Sequence, residues 1–163
     1  MRSVRRLFAT LLILAIHSPV VAQDCNQHIP ASAPEQRFHD NRDGSITDRR
    51  TGLQWSQCSL GQAWVNNTCQ GEARALPYAI VELVAEQGWR LPTITELSSL
   101  VELRCSRPAI NNTLFPTVAD GVYWTDTRFI NRDGSYWQVH FLHGEAVPER
   151  ADSVAFVRWV REN

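Results

Sequence analysis

Residues 88–97 read Gly88-Trp89-Arg90-Leu91-Pro92-Thr93-Ile94-Thr95-Glu96-Leu97, and this stretch decides the fold. Gly88 can adopt the left-handed backbone conformation that closes a helix, and Pro92 favours an extended conformation at the residue before it. Thr93 and Glu96 have capping-box spacing, in which each side chain accepts a hydrogen bond from a free backbone N–H. The stretch therefore predicts the end of one helix, a short extended bridge and the start of another helix.

Helical periodicity extends to both sides of this junction. Upstream, residues 72–87 are predicted to form a helix whose regular part begins near Pro77. Its apolar stripe follows the i, i+3, i+4, i+7, i+8 pattern and consists of Leu76, Ala79, Ile80, Leu83 and Val84. Downstream, residues 93–103 are predicted to form the second helix, with a buried stripe of Ile94, Leu97, Leu100 and Val101. We expect Trp89 and Leu91 to pack between the two helices.

Strand-like segments flank the predicted helices. Asp43-Gly44 is a hairpin signal between residues 37–41 and 45–48, and a second turn at 50–52 leads to residues 53–55. After a long irregular stretch, further strands are predicted at 122–125, 136–141 and 154–160. In the last of these, alternation places Phe156 and Arg158 on one face and Val157 and Trp159 on the other. Two helices with an antiparallel sheet indicate an α+β domain.

The first 22 residues have the features of a secretory signal peptide. A basic start precedes an apolar run of about ten residues, which is too short to span a bilayer, and small residues precede the expected cleavage after Ala22. We therefore divide the chain into a signal peptide (1–22), a lead-in segment (23–36) and a domain (37–163), with no membrane insertion after cleavage. We expect the protein to be secreted, periplasmic or on the cell surface.

Charge and cysteine content narrow the class further. All 16 basic residues are arginines, and three of them are in the signal peptide. The exported chain therefore has fewer arginines than its 17 acidic residues and is mildly acidic. An acidic domain is a poor candidate for nucleic-acid binding. Four cysteines in an exported protein favour two disulfides, for which three connectivities exist. The loop between Cys58 and Cys69 makes local pairing easy, which leaves Cys25 to pair with Cys105.

Several motifs in this order resemble the Lcl C-terminal domain family. They are Asp43-Gly44-Ser45-Ile46-Thr47-Asp48, Thr51-Gly52-Leu53-Gln54-Trp55 with Cys58, Trp89-Arg90-Leu91-Pro92-Thr93 with Glu96-Leu97, Pro108-Ala109-Ile110-Asn111, Phe115-Pro116, Tyr123-Trp124-Thr125 and Val157-Arg158-Trp159-Val160-Arg161. The resemblance covers roughly residues 37–161. It implies a C-type-lectin-like fold, related to the formylglycine-generating-enzyme variant, in a bacterial protein that binds surface or matrix polymers. Unlike the adhesive members, this chain has no collagen-like Gly-X-Y stalk.

Catalytic and metal-binding patterns are weak in this sequence. It has no His-Glu-x-x-His, Gly-x-Ser-x-Gly or phosphate-binding glycine loop. His140 and His143 are more typical of a strand residue and a turn residue than of metal ligands. Residues 40–44 resemble a calcium loop poorly, because Arg50 would stand where the twelfth-position Glu belongs. We therefore predict no catalytic residue, no metal site and no cofactor, with calcium left open.

The aromatic residues and the long loops supply the candidate binding residues. Of the six tryptophans, we expect Trp55, Trp89, Trp124 and Trp159 in the core; Trp64 either stacks on a sugar or packs under its loop. The C-type-lectin-like resemblance implies a ligand site beside the long loop and the last strands. Its candidate residues are Asn111, Asn112, Asp126, Arg128, Asn131, Arg132, Asp133 and Trp137, the last of which depends on strand register.

These observations predict a non-enzymatic, exported binding module that recognises a polysaccharide, a glycosaminoglycan or a surface protein. One alternative is a structural or accessory subunit of a surface appendage, bound to a partner protein. A further alternative is an enzyme of the formylglycine-generating type, which would need a reactive cysteine or a metal. The sequence leaves the ligand and the oligomeric state open.

Overall fold

A computed structural model describes residues 23–163, so the predicted signal peptide lies outside the described residues. The strands are β1 (Asp24–Cys25), β2 (Phe38–Asp40), β3 (Ser45–Asp48), β4 (Gln54–Ser56), β5 (Ala63–Val65), β6 (Thr68–Gln70), β7 (Leu76–Pro77), β8 (Cys105–Ser106), β9 (Val122–Arg128), β10 (Ser135–His140), β11 (Glu145–Arg150), β12 (Val154–Ala155) and β13 (Val160–Arg161). The helices are α1 (Tyr78–Leu83), α2 (Ile94–Ser98) and a 3-10 turn (Glu35–Arg37). Within residues 23–163, no helix has the length and apolar character that crossing a membrane requires.

A four-stranded antiparallel sheet in the order β13-β4-β3-β2 contains the predicted N-terminal meander. The Asp43-Gly44 turn joins β2 to β3, and the second turn leads into β4, as expected. The C-terminal β13 completes this sheet by pairing with β4, where Val160 lies opposite Trp55. The two ends of the domain are thereby held in one sheet.

The C-terminal region departs from the prediction in two places. The second large sheet has the order β11-β10-β9, and its edge strand β11 was not predicted because residues 145–150 contain three charged residues and a proline. The predicted strand at 154–160 is wrong as one element. Its start forms β12, which pairs with β7, and its end forms β13 in the other sheet.

Both helices are shorter than predicted. α2 ends at Ser98, after which tight backbone hydrogen bonds from Leu100 to Leu97 and from Val101 to Ser98 turn Leu100 and Val101 into the core. α1 ends at Leu83, well before Gly88, although Gly88 does adopt the predicted left-handed conformation (φ 85°). A helix of this length depends on tertiary packing, and no core lies against the residues that would have continued it.

The buried face of α1 also differs from the predicted stripe. Tyr78 and Val81 are its buried residues, whereas Ile80, Leu83 and Val84 are 42%, 80% and 39% exposed. The predicted stripe assumed a longer helix lying flat on the core. Instead, the chain enters α1 directly from β7, and this orients the Tyr78 and Val81 side chains inward.

The core consists of two clusters of buried side chains. The larger cluster lies between α2, the four-stranded sheet and the long loop, and it includes Trp55, Leu97, Phe115 and Phe141. The smaller cluster lies under α1 and consists of Tyr78, Val81, Leu91, Trp124, Ala155, Val157 and Trp159, with Trp89 partly buried at its edge. Trp89 and Leu91 therefore pack with the α1 cluster. The prediction that they lie between the two helices is wrong.

The disulfide pairing follows the preferred connectivity. Cys25 is bonded to Cys105, and this bond joins β1 to β8 at the N-terminal end of the domain. Cys58 is bonded to Cys69, and it closes the loop that carries β5 and β6. The α+β, disulfide-stapled class is thus confirmed.

Arg158 contradicts the predicted alternation because its side chain is completely buried. Residues 157–159 lie between β12 and β13 and have no regular strand conformation, so a two-residue period does not apply to them. Val157, Arg158 and Trp159 are all buried, and the Arg158 guanidinium lies 4.8 Å from the centroid of the Phe115 ring.

Candidate functional site

Trp64 lies on a small hairpin inside the disulfide loop. β5 pairs with β6 so that Trp64 is opposite Cys69, and the turn is formed by Asn66 and Asn67, which both adopt positive φ angles. Asparagine tolerates this conformation better than most residues. The hairpin and the Cys58–Cys69 bond hold the Trp64 indole in a defined, half-buried position.

The tip of the first hairpin supports this indole from below. Gly44 has a φ of 87°, and a Cβ atom placed on it would lie 2.7 Å from the Cβ of Trp64 and 2.8 Å from its Cγ. Only a residue without a side chain fits between the β2–β3 turn and the indole. A glycine at position 44 is therefore required for two reasons, the positive φ of the turn and the closeness of Trp64.

Trp89 and Trp159 are brought together by backbone hydrogen bonds. Arg90 and Val160 form an isolated antiparallel bridge, with N–H to carbonyl distances of 2.9 and 3.0 Å in the two directions. The two tryptophans that precede these residues in sequence therefore come to line the same surface. The Arg161 guanidinium covers Trp89 at 4.4 Å from the ring centroid, which fixes the indole from its other side.

These three indoles line a surface cleft of about 290 Å³, which we call the tryptophan cleft. Its other lining residues are Asp43, Gly44, Ser56, Cys58, Ser59, Leu60, Gly61, Gln62 and Glu86. The cleft thus combines flat aromatic surfaces with carboxylate, amide and hydroxyl groups. This is the composition expected of a site that binds a ligand with both apolar faces and hydroxyl groups.

Hydrogen bonds order the polar side of the tryptophan cleft. The Gln62 side-chain oxygen accepts from the Ser59 backbone N–H at 3.1 Å, and the Ser59 hydroxyl lies 2.9 Å from the buried Tyr123 hydroxyl. Hydrogen bonds from the Ser45 hydroxyl and N–H hold the pKa of Asp43 below its usual value, so its carboxylate is charged at neutral pH. The polar groups are therefore positioned before any ligand arrives.

A second cleft of about 240 Å³ adjoins the first and shares Trp89 and Trp159 with it; we call it the helix cleft. Its other lining residues are Tyr78, Val81, Glu82, Ala85, Arg90, Leu91 and Asp126. Burial and the neighbouring Tyr136, whose ring stacks on Tyr78 at 3.7 Å, raise the pKa of the Tyr78 hydroxyl far above its usual value. Tyr78 therefore stays protonated at every physiological pH.

The predicted ligand residues lie in four separate places. Asn111 and Asn112 line a cleft of about 360 Å³ near the Cys25–Cys105 disulfide, together with Glu102 and Arg104. Within it, the Asn111 side-chain oxygen accepts hydrogen bonds from the backbone N–H groups of the next turn. Asn111 thus has a local structural role at that position.

The β9–β10 connection forms another cleft, of about 390 Å³, lined by Arg128, Arg132 and Asp133 among others. Arg132 donates from Nε to the Ser135 hydroxyl at 2.8 Å and from its terminal nitrogen to the Pro148 carbonyl at 2.6 Å. Its guanidinium is therefore largely used in holding the turn. Asn131 lies in the same connection and is exposed.

Asp126 and Trp137 belong to neither of those groups. Asp126 lies on β9 and lines the helix cleft, so it is the member of the predicted set that shares a cleft with Trp89 and Trp159. Trp137 is half-buried on β10, and its ring packs edge-on against Phe129 at 5.1 Å. The structure therefore does not bring the predicted set together at one site.

Metal ligands do not cluster in the described part of the chain, where no group of three or more His, Cys, Asp or Glu side chains is arranged to hold an ion. The His140 Nδ1 accepts a hydrogen bond from the Leu142 N–H, and His143 is exposed, which agrees with their expected strand and turn positions.

Sequence reasoning missed most of the tryptophan cleft. Trp159 and Trp89 were expected in the core, and each does bury much of its indole while leaving one edge at the surface. Trp64 was the residue for which stacking on a ligand was left open. The signal that could have found the cleft is the Asp43-Gly44 turn together with a tryptophan inside a short disulfide loop, both close in sequence to β4.

The sequence model described as the Lcl C-terminal domain matches residues 44–161, which is well over half of the chain and includes all three cleft tryptophans. No curated protein and no solved structure matches the chain.

Proposed function

The chain belongs to the Lcl C-terminal domain family, and from this premise we propose that it is an exported, non-enzymatic bacterial binding module that recognises a polysaccharide. We further propose that its α+β fold is the C-type-lectin-like fold of the formylglycine-generating-enzyme type. The observation that carries the proposed function is the tryptophan cleft, in which Trp64, Trp89 and Trp159 converge beside ordered polar groups.

The chemistry of this cleft suits a sugar ring. One face of a pyranose ring presents C–H groups and packs well on the flat surface of an indole, whose large apolar area contributes strongly on burial. The ring's hydroxyl groups need partners at the edge, and carboxylate and amide oxygens such as those of Asp43 and Gln62 accept their hydrogen bonds. A cleft with fixed aromatic walls and few polar groups also loses little entropy when it binds.

Two features support an exported location for this activity. Both disulfides join cysteines within the described residues, and such bonds persist in oxidising compartments outside the cytoplasm. The predicted signal peptide provides the route to such a compartment. A polysaccharide of the envelope or of the surroundings would be available to the protein there.

Titration of the exported protein with a panel of soluble polysaccharides, followed by intrinsic tryptophan fluorescence and calorimetry, tests the proposal. We expect a polysaccharide that changes the fluorescence and binds measurably. Trp64→Ala should weaken this binding at least tenfold, because it removes a half-buried wall of the cleft that belongs to neither core cluster. Trp137→Ala is the matched control, since Trp137 is a half-buried tryptophan outside the cleft.

The results separate the proposal from its competitors. Equal binding by the wild type and Trp64→Ala, with loss in Trp137→Ala, would move the site to the β9–β10 sheet and refute the cleft. Absence of binding to every polysaccharide in the panel would refute the proposed function. Retention of binding in Trp137→Ala supports the tryptophan cleft.

A second candidate is a structural or accessory subunit of a surface appendage, and the exposed face of α1 favours it. Ile80, Leu83 and Val84 expose apolar surface on one short helix, which suits contact with a partner protein. Crosslinking in the native envelope tests this candidate. A crosslinked partner that is lost in Leu83→Glu but kept in Trp64→Ala would favour the subunit role, and the reverse pattern would favour the polysaccharide role.

A further inference from the structure

The tryptophan cleft and the helix cleft share Trp89 and Trp159, so they form one groove with two compartments. This arrangement rests on neighbouring elements that the core holds in place. Trp159 is largely buried, and the Arg90–Val160 bridge fixes the backbone beside both indoles. A ligand that fills one compartment therefore reaches the next one by crossing the edge of these indoles.

The charges along the groove are mainly negative. Asp43 and Glu86 line the first compartment, and Glu82 and Asp126 line the second. None of these four carboxylates forms an ion pair within residues 23–163. A sulfated or carboxylated polymer entering the groove would meet unpaired charges of its own sign.

The two arginines beside the groove, Arg90 and Arg161, compensate for these acids only in part. Arg90 donates to Glu96 through both terminal nitrogens at 2.8 and 2.9 Å and to Glu162 at 2.8 Å, and these hydrogen bonds hold its pKa above the usual range. Arg161 covers Trp89 and donates from Nε to the Gln54 side chain at 2.8 Å. The Arg90 charge is therefore neutralised by Glu96 and Glu162, whereas the Arg161 charge has no ion-pair partner in the described residues and contributes to the lowered pKa of Asp43.

From the proposed polysaccharide-binding function, on which this inference rests, we infer that the ligand is an uncharged glycan. At least two of its sugar units lie in the groove, one in the tryptophan cleft and one in the helix cleft, on either side of the Trp89 and Trp159 edges. Repulsion between the unpaired carboxylates and a polyanion gives selectivity against sulfated glycosaminoglycans. The aromatic walls supply affinity, and the acids accept hydrogen bonds from sugar hydroxyls.

Chain-length dependence tests the two compartments. Calorimetry would compare neutral β-1,4-linked glucose and N-acetylglucosamine oligomers and α-1,4-linked glucose oligomers, each from one to six units, with a heparin hexasaccharide. In at least one neutral series we expect affinity to rise at least tenfold from the monomer to longer oligomers and then to level off. The heparin hexasaccharide should bind at least tenfold more weakly than the best neutral hexamer at low salt.

A blocking variant tests the second compartment directly. Ala85 is exposed and lines the helix cleft, so Ala85→Trp should fill that compartment and leave the tryptophan cleft open. We expect it to remove the gain of the longer oligomers while the shortest binding oligomer keeps its affinity. Ala79→Trp is the control, because Ala79 is exposed on α1 and does not line either cleft.

The outcomes distinguish this inference from the function on which it rests. Binding that requires Trp64 but is the same for all chain lengths, or is unchanged in Ala85→Trp, overturns the two-compartment groove and leaves the polysaccharide function standing. Heparin binding stronger than that of every neutral oligomer overturns the uncharged ligand. Binding that does not depend on Trp64 overturns the proposed site, and the inference falls with it.

Discussion

Gly44 and Trp64 are so close that a methyl group on Gly44 would lie 2.7 Å from the Trp64 Cβ. The contact joins two local structures, the β2–β3 turn and the disulfide-closed β5–β6 hairpin. It also makes the turn a support for one wall of the proposed binding groove. The geometry of the groove therefore depends on a residue that does not itself offer a side chain to the ligand.

Substitution of Gly44 should affect stability and binding together. Gly44→Ala places an L-residue at a positive φ and adds an overlap with Trp64, so we expect a loss of about 2–3 kcal/mol of unfolding free energy. Gly52→Ala has the same backbone penalty (φ 76°) with nothing within 4 Å, and it should cost about 1 kcal/mol. Urea unfolding measures both, and ligand titration should show weaker binding for Gly44→Ala alone. Equal effects of the two substitutions would contradict the contact.

The buried pair of Arg37 and Asp48 predicts a specific loss of stability in acid. Burial acts to raise the pKa of Asp48, but hydrogen bonds from Arg37, the Arg50 N–H and the Thr51 hydroxyl lower it below 3.8. Because the folded-state pKa is below the unfolded one, the stabilisation is present above pH of about 4 and disappears as the pH falls through the folded value. Asp48→Asn should flatten this acid-induced decrease.

Guanidinium unfolding between pH 2 and pH 7 measures this effect. At pH 7 we expect Asp48→Asn to cost about 3 kcal/mol, since it leaves the Arg37 guanidinium without its buried counter-charge. Asp152→Asn is the matched control, because the pair of Asp152 with Arg150 is exposed and its loss should leave the pH profile unchanged. If Asp48→Asn showed the same dependence of stability on pH as the wild type, the pair would not control stability in acid.

The capping box at the start of α2 should contribute to stability through Thr93. Its hydroxyl accepts from the Glu96 N–H at 3.2 Å, while the Glu96 carboxylate accepts from the Thr93 N–H at 2.7 Å. Thr93→Ala is expected to cost about 1 kcal/mol in urea unfolding. Thr95→Ala, at an exposed position of the same helix, should be within about 0.5 kcal/mol of the wild type. A larger effect at Thr95 than at Thr93 would refute the capping role.

Removing each disulfide in turn should show that the two bonds contribute differently to stability and to ligand binding. Loop entropy predicts a loss of about 4.5 kcal/mol on removing Cys25–Cys105, with a separation of 80 residues, and about 3 kcal/mol for Cys58–Cys69, with a separation of 11. The double alanine variant of the short loop should nevertheless lose ligand affinity, because that loop positions Trp64. The variant of the long loop should bind normally at temperatures where it is folded. The opposite pattern, measured by thermal unfolding and calorimetry, would remove the short loop from the site.

Local signals in the sequence were sufficient for much of this fold. The capping box, the Asp43-Gly44 turn and the Cys58–Cys69 pairing each depend on residues close in sequence, and each is confirmed. α1 was predicted too long because an apolar stripe indicates burial without saying what covers it. Ile80 and Leu83 satisfy the helical period, yet no other element packs on them in the described structure.

The groove was not predictable in the same way, because it is assembled from distant segments. Trp89 and Trp159 meet through one backbone bridge between residues 70 positions apart, and nothing in either local sequence indicates that pairing. The family resemblance pointed to the long loop and the β9–β10 connection, where the structure places Asn111 and Arg132 in separate clefts. Topology, and not residue type, decided which side chains share a surface.

Removal of the Arg158 side chain should lower the stability of the fold, whereas removal of the Arg161 side chain should mainly change ligand binding. Arg158 is completely buried, donates to the Ser56 and Gln57 carbonyls at 2.8 and 2.6 Å and lies over the Phe115 ring. Burial lowers the pKa of its guanidinium, and no carboxylate in the described part of the chain forms an ion pair with it. Both hydrogen bonds use the same terminal nitrogen, and Nε and the other terminal nitrogen are buried without a partner in the described residues, so the hydrogen bonds and aromatic contacts offset only part of the cost of burying the charge.

Arg158→Ala should thus cost about 3 kcal/mol in urea unfolding, because it leaves two buried carbonyls without a donor and opens a cavity. Arg158→Lys should rescue little of this, since a compact ammonium group is more strongly hydrated and does not stack on the ring. Arg161→Ala should change stability by less than about 1 kcal/mol, because that side chain is half-exposed, but it should alter ligand binding by freeing Trp89. If Arg158→Lys were as stable as the wild type, the planar guanidinium contacts would not be what holds this charge in the core.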